Sequence, residues 1–221
     1  MLNKKGNWSS SRRKSLKIPI AESVLFIYCG KCTEPNYFES ILSSIKIKFE
    51  NASQGMTKFE YDGEICEYDP ANMAKFVKDI IKDKNKSFTD VYVVFDKDSF
   101  EADNFDNAIK KINAMTNDEC QYCALWSNEC IELWFILHFE YLQARISRDV
   151  YFNKIGNYLG IKYEKNIKNI AHRIVENGGF LDKAINNSKK LIEFHKNEKS
   201  YSKKYPATAV YLFFEKYKNY I

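Results

Sequence analysis

The chain has 221 residues, of which 45% are hydrophobic and 29% are charged, and its formal net charge is +5. This length suits one well-buried domain, or one domain with a helical extension, because domains usually take ~100–200 residues. The hydrophobic content excludes an intrinsically disordered chain. No stretch approaches the ~18 apolar residues that span a bilayer, and residues 1–20 are too polar for a signal peptide. A cytoplasmic protein is therefore expected.

The charge is distributed unevenly along the chain. Residues 1–20 carry six Lys and Arg and no acid, residues 21–140 carry 12 basic against 22 acidic residues, and residues 141–221 carry 16 against 7. This excludes a uniformly basic, histone-like protein. The basic ends could contact phosphates, although solvated surface is the common alternative. We interpret residues 1–22 as a flexible basic arm that includes Arg12 and Arg13.

Apolar runs and helical periodicity alternate through the first 140 residues. Continuous apolar runs predict strands, and apolar residues at three- and four-residue spacing predict helices. The first strand ends before Gly30, and Thr33 is expected to be the N-cap of the first helix. The predicted strands are 23–29, 59–68, 91–95 and 121–126, and the helices after them include 104–115 and 130–139. This alternation predicts an α/β fold with a mostly parallel sheet covered by helices on both faces.

The remainder of the chain shows only helical patterns. Predicted helices lie near 147–159, 166–176, 179–195 and 206–220, and no strand is predicted after residue 140. We therefore divide the chain into the arm, an α/β domain over 23–140, and a helical C-terminal region over 141–221 that packs on it.

Polar residues follow two of the predicted strands directly. Asp96 and Asp98 come after the apolar run 91–95, and Glu34 follows the first strand within the string C-G-K-C-T-E. Polar groups at the carboxyl edge of a parallel sheet lie where ligands bind. Two carboxylates at one strand end can face one cation, and their oxygens suit Mg²⁺ or Mn²⁺, which act on phosphates. A turn or capping role for the two aspartates is the alternative.

Three longer strings carry a family resemblance. They are T-E-P-N-Y-F at 33–38, V-V-F-D-K-D at 93–98 and E-L-W-F-I-L-H-F at 132–139, and the shorter Y-P-A-T at 205–208 accompanies them. With them, most of the chain from residue 24 onward resembles the RloB-like family of Toprim-domain proteins. The resemblance implies a Toprim-like α/β fold with a helical C-terminal extension.

The same resemblance implies a function and a set of residues. It implies a metal-dependent nuclease of DNA or RNA in a bacterial anti-phage or abortive-infection system. The nuclease would work beside an ATPase encoded nearby, and whether it forms a homo-oligomer is left open. Asp96 and Asp98 match the pair that binds Mg²⁺ or Mn²⁺, and Glu34 and Glu132 match further acids. The expected nucleic-acid contacts are Lys31, Lys97, Arg12, Arg13 and His138.

One departure from the family leaves two functions open. The family has Glu-Gly after the first strand, whereas here Cys29 precedes Gly30. A thiol with an ordinary pKa near ~8.5 is a poor general base and a soft ligand that matches Mg²⁺ badly. The chain is thus either a nuclease, impaired to some degree by Cys29, or a non-cleaving module that binds nucleic acid or regulates the ATPase partner.

The six cysteines raise a separate question. Reduced thiols are expected rather than disulfides in a cytosolic chain. The pairs Cys29/Cys32 and Cys120/Cys123 have the spacing of zinc half-sites, but they lie far apart in the sequence. Packed thiols are therefore favoured over a zinc site.

Overall fold

The computed structural model describes residues 22–52, 58–66 and 69–221, without the side chains of residues 51 and 52. In chain order, the strands and helices of these residues are β1 (Glu22–Tyr28), α1 (Thr33–Ala52), β2 (Phe59–Ile65), α2 (Met73–Lys84), β3 (Asp90–Asp96), α3 (Ala102–Asn113), β4 (Gln121–Asn128), α4 (Glu132–Leu137), α5 (Arg148–Leu159), α6 (Ile170–Glu176), α7 (Leu181–Phe194), β5 (Ala207–Thr208) and α8 (Tyr211–Tyr217).

The strands form one five-stranded sheet in the order β2-β1-β3-β4-β5. The first four strands are parallel, and β5 runs antiparallel to β4. Helices cover both faces, which explains why β1 and β3 are almost continuously apolar. The predicted α/β fold is confirmed.

Strand β5 corrects the prediction that no strand follows residue 140. Its two residues carry no apolar run, so no sequence pattern marks them. They pair with β4 because the hydroxyls of Ser127 and Thr208 bond to each other at 3.0 Å and the amide of Ala209 donates to the carbonyl of Trp126 at 2.8 Å. Tertiary contacts, not local preference, therefore define this strand.

Helix boundaries differ from the predictions in two places. The structure begins α1 at Thr33, whose hydroxyl donates to the carbonyl of Lys165 at 3.2 Å, so the predicted N-cap role is wrong. Helix α4 is shorter than the predicted 130–139. The amides of Leu133 and Trp134 bond three residues back, which is the tighter geometry common at helix ends.

The sheet separates two hydrophobic clusters. On one face, Phe26 and Tyr28 pack with residues of α1, α4 and α8, and Phe213 of α8 contacts Phe26 edge to face at a ring separation of 5.1 Å. On the other face, Leu25 and Ile27 pack with residues of α2 and α3. The segments after residue 140 thus complete the core on the first face. Within the described ranges, none of the helices is long and apolar enough to cross a membrane.

Candidate active site at the carboxyl edge of the sheet

The neighbouring strands β1 and β3 end beside each other because they run parallel. Their last paired residues are Tyr28 and Val94, and the loop after β1 and the start of α4 meet Asp96 at this edge. Together they enclose a cavity of about 240 Å³. Six residues that the sequence predicted for the site line it: Cys29, Lys31, Glu34, Asp96, Asp98 and Glu132.

The carboxylate of Glu34 lies over Gly30. Glu34 is in the first turn of α1 and only 6% exposed, and a Cβ added to Gly30 would overlap its carboxylate oxygens. The absence of a side chain at residue 30 therefore leaves the space that the Glu34 carboxylate occupies. Gly30 and Asp96 each follow the Tyr28–Val94 pair by two residues, which explains why Glu34 reaches the end of β3.

Three acids share this cavity, and the pKa values of two of them, Asp96 and Glu34, are raised. Burial raises the pKa of Asp96 well above its ordinary value, and the charges of Glu34 and Glu132 raise it further. Burial also raises the pKa of Glu34 to about 7, with Glu132 adding to the effect and Lys165 and Arg148 opposing it. Within the described part of the chain, one oxygen each of Asp96 and Glu132 has no hydrogen-bond partner. Buried carboxylates without partners are costly, so a cation in this cavity would stabilise them.

Glu132 is held from the second half of the chain. It is the first residue of α4 and fully buried, and the hydroxyl of Tyr163 donates to its Oε1 at 3.1 Å. This bond leaves Oε2 free to face the cavity.

Asp98 lies at the border of two cavities. Its backbone has a φ of +40°, and its carboxylate pairs with Arg148 at the start of α5. It lines the acidic cavity. It also lines a neighbouring groove of about 470 Å³, to which Lys97 and Arg145 contribute as well. Lys97 itself bonds to the carbonyl of Phe100. The D-x-D pair is therefore split: Asp96 faces the other acids, and Asp98 faces an arginine.

The model of the RloB-like protein family matches residues 25–216 of the chain. The chain belongs to the RloB-like family. No curated protein and no solved structure matches it. For this RloB-like protein, the chemistry must therefore be argued from the cavity itself.

The donors of the cavity fit a hard divalent cation. Carboxylate oxygens are the ligands that Mg²⁺ and Mn²⁺ prefer, and the unpartnered oxygens of Asp96 and Glu132 are available to an ion. The carboxylates do not yet converge: among the described ranges, no group of three or more His, Cys, Asp or Glu side chains is close enough to hold a metal. The side chains would have to rotate to bring their oxygens together.

The sequence did not place three residues at this site: Arg148, Tyr163 and Lys165. Arg148 pairs with Asp98, Tyr163 bonds to Glu132, and Lys165 lines the cavity. All three come from the region after residue 140, far in sequence from the motifs. The only signal for them was the excess of basic residues there.

The thiol of Cys29 faces Met73, although the residue also lines the acidic cavity. Its Sγ donates to the Sδ of Met73 at 3.5 Å, and it packs on the face of the sheet that holds Leu25 and Ile27. A hydrogen bond with Cys66, followed by burial, raises the pKa of Cys29 well above its ordinary value. A protonated thiol facing Met73 does not provide a general base beside Asp96.

The remaining predicted contacts lie in different places. His138 is buried outside the acidic cavity, where burial lowers its pKa to about 4 and its Nδ1 bonds to the carbonyl of Trp134 at 2.9 Å. A neutral buried imidazole offers no surface to a phosphate, so its position gives no support to the predicted nucleic-acid contact. Lys31 is exposed at the cavity, whereas Arg12 and Arg13 lie outside the described residues.

Proposed function

We propose that this RloB-like protein is a metal-dependent phosphodiesterase that acts on nucleic acid. The observation that carries the proposal is the acidic cavity, in which burial and neighbouring carboxylates raise the pKa of Asp96 and of Glu34 beside cationic side chains. Perturbed acids gathered in one cleft are typical of catalytic sites. A bound Mg²⁺ or Mn²⁺ would neutralise this charge and polarise a phosphate.

The residues of the cavity have separate roles in this proposal. Asp96 and Glu132 hold the ion through their unpartnered oxygens, and Asp98 joins them when Arg148 leaves it. Glu34, whose pKa is about 7, accepts a proton from the attacking water, because a base poised near the working pH is the most effective.

The cations around the cavity bind the substrate in this proposal. Arg148 is available to a phosphate once it leaves Asp98, and a guanidinium binds phosphate oxygens in a bidentate manner. Lys165 and Lys31 line the same cavity and add positive charge at its edge. The basic residues after residue 140 would extend the contact along the strand, in a way that salt weakens.

Cleavage of labelled RNA and DNA with Mg²⁺, Mn²⁺ or chelator tests this function. We expect metal-dependent cleavage by the wild-type protein and a loss of at least 100-fold, about 2.7 kcal/mol of transition-state stabilisation, in Asp96→Asn and Glu132→Gln. Asp103→Asn, an exposed acid of α3, is the matched control and should keep full activity. Equal activity of Asp96→Asn and the wild type would contradict the proposal.

A second candidate is a protein of the same fold that binds nucleic acid without cutting it. Two observations favour it: Arg148 neutralises Asp98, and a thiol directed at Met73 stands at the position of the family glutamate. This candidate predicts binding that weakens steeply with salt, and no cleavage by the wild type. Cleavage that appears only in Cys29→Glu would identify an impaired enzyme and favour the second candidate.

The biological setting follows from the family resemblance alone. We propose a role in anti-phage defence together with an ATPase encoded nearby. Co-purification of the protein with the product of the adjacent gene tests the partner, and plaque counts with and without Asp96→Asn test the role of the cavity. The same purification gives the oligomeric state.

A further inference from the structure

The carboxyl ends of β1 and β2 bring three sulfur atoms together. The last pair of this ladder is Tyr28–Ile65, and the amide of Cys66 donates to the carbonyl of Tyr28 at 2.6 Å, so Cys29 and Cys66 follow as lateral neighbours. Met73, the first residue of α2, contacts both: its Sδ lies 3.5 Å from the Sγ of Cys29 and 3.7 Å from the Sγ of Cys66.

We propose that Cys29, Cys66 and Met73 form a binding site for a soft monovalent metal ion, Cu(I). Thiolate and thioether ligands select Cu(I), whereas Mg²⁺ and Mn²⁺ prefer oxygen. Binding of Cu(I) converts the Cys29 and Cys66 thiols to thiolates and releases their two protons to solvent. Metal–sulfur bonds of about 2.3 Å place three sulfur atoms of a planar site about 4 Å apart. The separations of 3.5 and 3.7 Å that join the Sδ of Met73 to the two Sγ atoms are close to this value.

The environment of the three sulfurs suits such an ion. Cys66 and Met73 are fully buried, so two of the three sulfur atoms are shielded from water. Cys29 is only partly buried and also lines the acidic cavity, which gives the ion a route from solvent. The acids of that cavity are hard donors that compete poorly for Cu(I). The sulfur site is therefore distinct in chemistry from the carboxylates, although it lies beside them.

The inference rests on the positions of the sulfur atoms and not on nuclease activity, so it stands whether or not the protein cuts nucleic acid.

Anaerobic titration of the full-length, reduced protein with Cu(I), in competition with a bicinchoninate or bathocuproine chelator, tests the site. We expect one tightly bound Cu(I) per chain. Met73→Leu, which removes the thioether but keeps a similar volume, should weaken binding at least tenfold, and Cys29→Ser and Cys66→Ser should weaken it further. Met115→Leu and Cys123→Ser are matched controls that should leave the affinity unchanged.

X-ray absorption of the Cu(I)-loaded wild type gives a measurement that needs no variant. We expect three sulfur neighbours at about 2.3 Å from the copper. Copper bound by two sulfurs with unchanged affinity in Met73→Leu would overturn the proposal. Loss of tight binding in Cys123→Ser but not in Cys66→Ser, or failure of the wild type to retain Cu(I) against the chelator, would overturn it as well.

Discussion

At the scale of single residues, Gly30 and Glu34 depend on each other. A methyl group at residue 30 would overlap the Glu34 carboxylate, which can move because it is the end of a flexible side chain. We therefore expect Gly30→Ala to displace Glu34 from the cavity at little cost in stability and to reduce cleavage at least tenfold. Initial rates with saturating Mn²⁺ measure this effect. Gly63→Ala, whose Cβ would meet only the ring of Tyr28 at 3.3 Å, is the control; a matching loss there would contradict the argument.

The buried Glu34 also predicts how stability depends on pH. Its pKa rises from an ordinary 4.5 to about 7 in the folded protein, mainly through burial. The folded state therefore binds the proton more tightly than the unfolded state. The contribution of Glu34 to the free energy of unfolding is fully present below about pH 4.5. It is lost as the pH rises through 7, which lowers the free energy of unfolding by up to about 3 kcal/mol.

Urea unfolding in the presence of chelator at pH 5 and pH 8 checks this dependence. Glu34→Gln should be more stable than the wild type at pH 8 and similar to it near pH 5, because the amide does not ionise. The control Glu39→Gln changes an exposed acid of the same helix and should follow the wild type. If Glu34→Gln loses stability equally at both values, burial does not control this carboxyl group.

The residues of the site differ in how far the sequence could predict them. Asp96 was predictable because it ends an apolar strand, where parallel sheets place their ligands. Glu34 was found through the family string, although its approach to Asp96 depends on the missing side chain of Gly30. Arg148 and Lys165 could not be predicted, because the packing of the second half of the chain brings them to the cavity.

At the scale of helices and strands, α8 is fixed to the amino end of β3 by one buried acid. Asp90 is 1% exposed, and the Nζ of Lys216 lies 2.7 Å from each of its carboxylate oxygens. The hydroxyl of Thr89 also donates to it at 3.0 Å. A buried carboxylate that loses its cation becomes an uncompensated charge.

We expect Lys216→Met to destabilise the protein by about 3 kcal/mol for this reason. Lys218→Met changes an exposed lysine two residues away and should alter stability by less than about 0.5 kcal/mol. Thermal and urea unfolding of both variants compare the two effects. Equal stability of the two variants would show that the Asp90 carboxylate does not depend on Lys216.

Strands and helices with a local hydrophobic pattern were predictable from the sequence, whereas elements that depend on tertiary contacts were not. The buried strands β1 and β3 are marked by continuous apolar runs, which are typical of strands covered on both faces. Strand β5 has two residues and depends on the hydroxyl pair Ser127–Thr208, which joins residues 81 positions apart. No local rule connects such residues before the chain folds.

At the scale of the whole molecule, one hydrophobic cluster contains residues from both sides of residue 140. Phe213 contacts Phe26 of β1 at a ring separation of 5.1 Å, and Phe214 stacks on Trp134 of α4 at 5.1 Å. Val210 is fully buried in the same cluster. The division at residue 140 that the sequence suggested stays a prediction, and this shared core gives a way to test it.

A fragment of residues 1–140 should fail to fold on its own. It would lose the aromatic side chains of α8 that cover Phe26 and Trp134, and it would expose a large part of the core face of the sheet. Deletion of residues 1–21 removes none of the contacts described above, so a 22–221 fragment is the control and should unfold cooperatively. Circular dichroism melts and two-dimensional NMR spectra compare the two fragments. We expect only the 1–140 fragment to bind a dye that recognises exposed hydrophobic surface and to give poorly dispersed NMR signals. Because Arg148, Tyr163 and Lys165 also lie beyond residue 140, a cooperatively folded 1–140 fragment would show that the sheet can form without the segments that complete the acidic cavity.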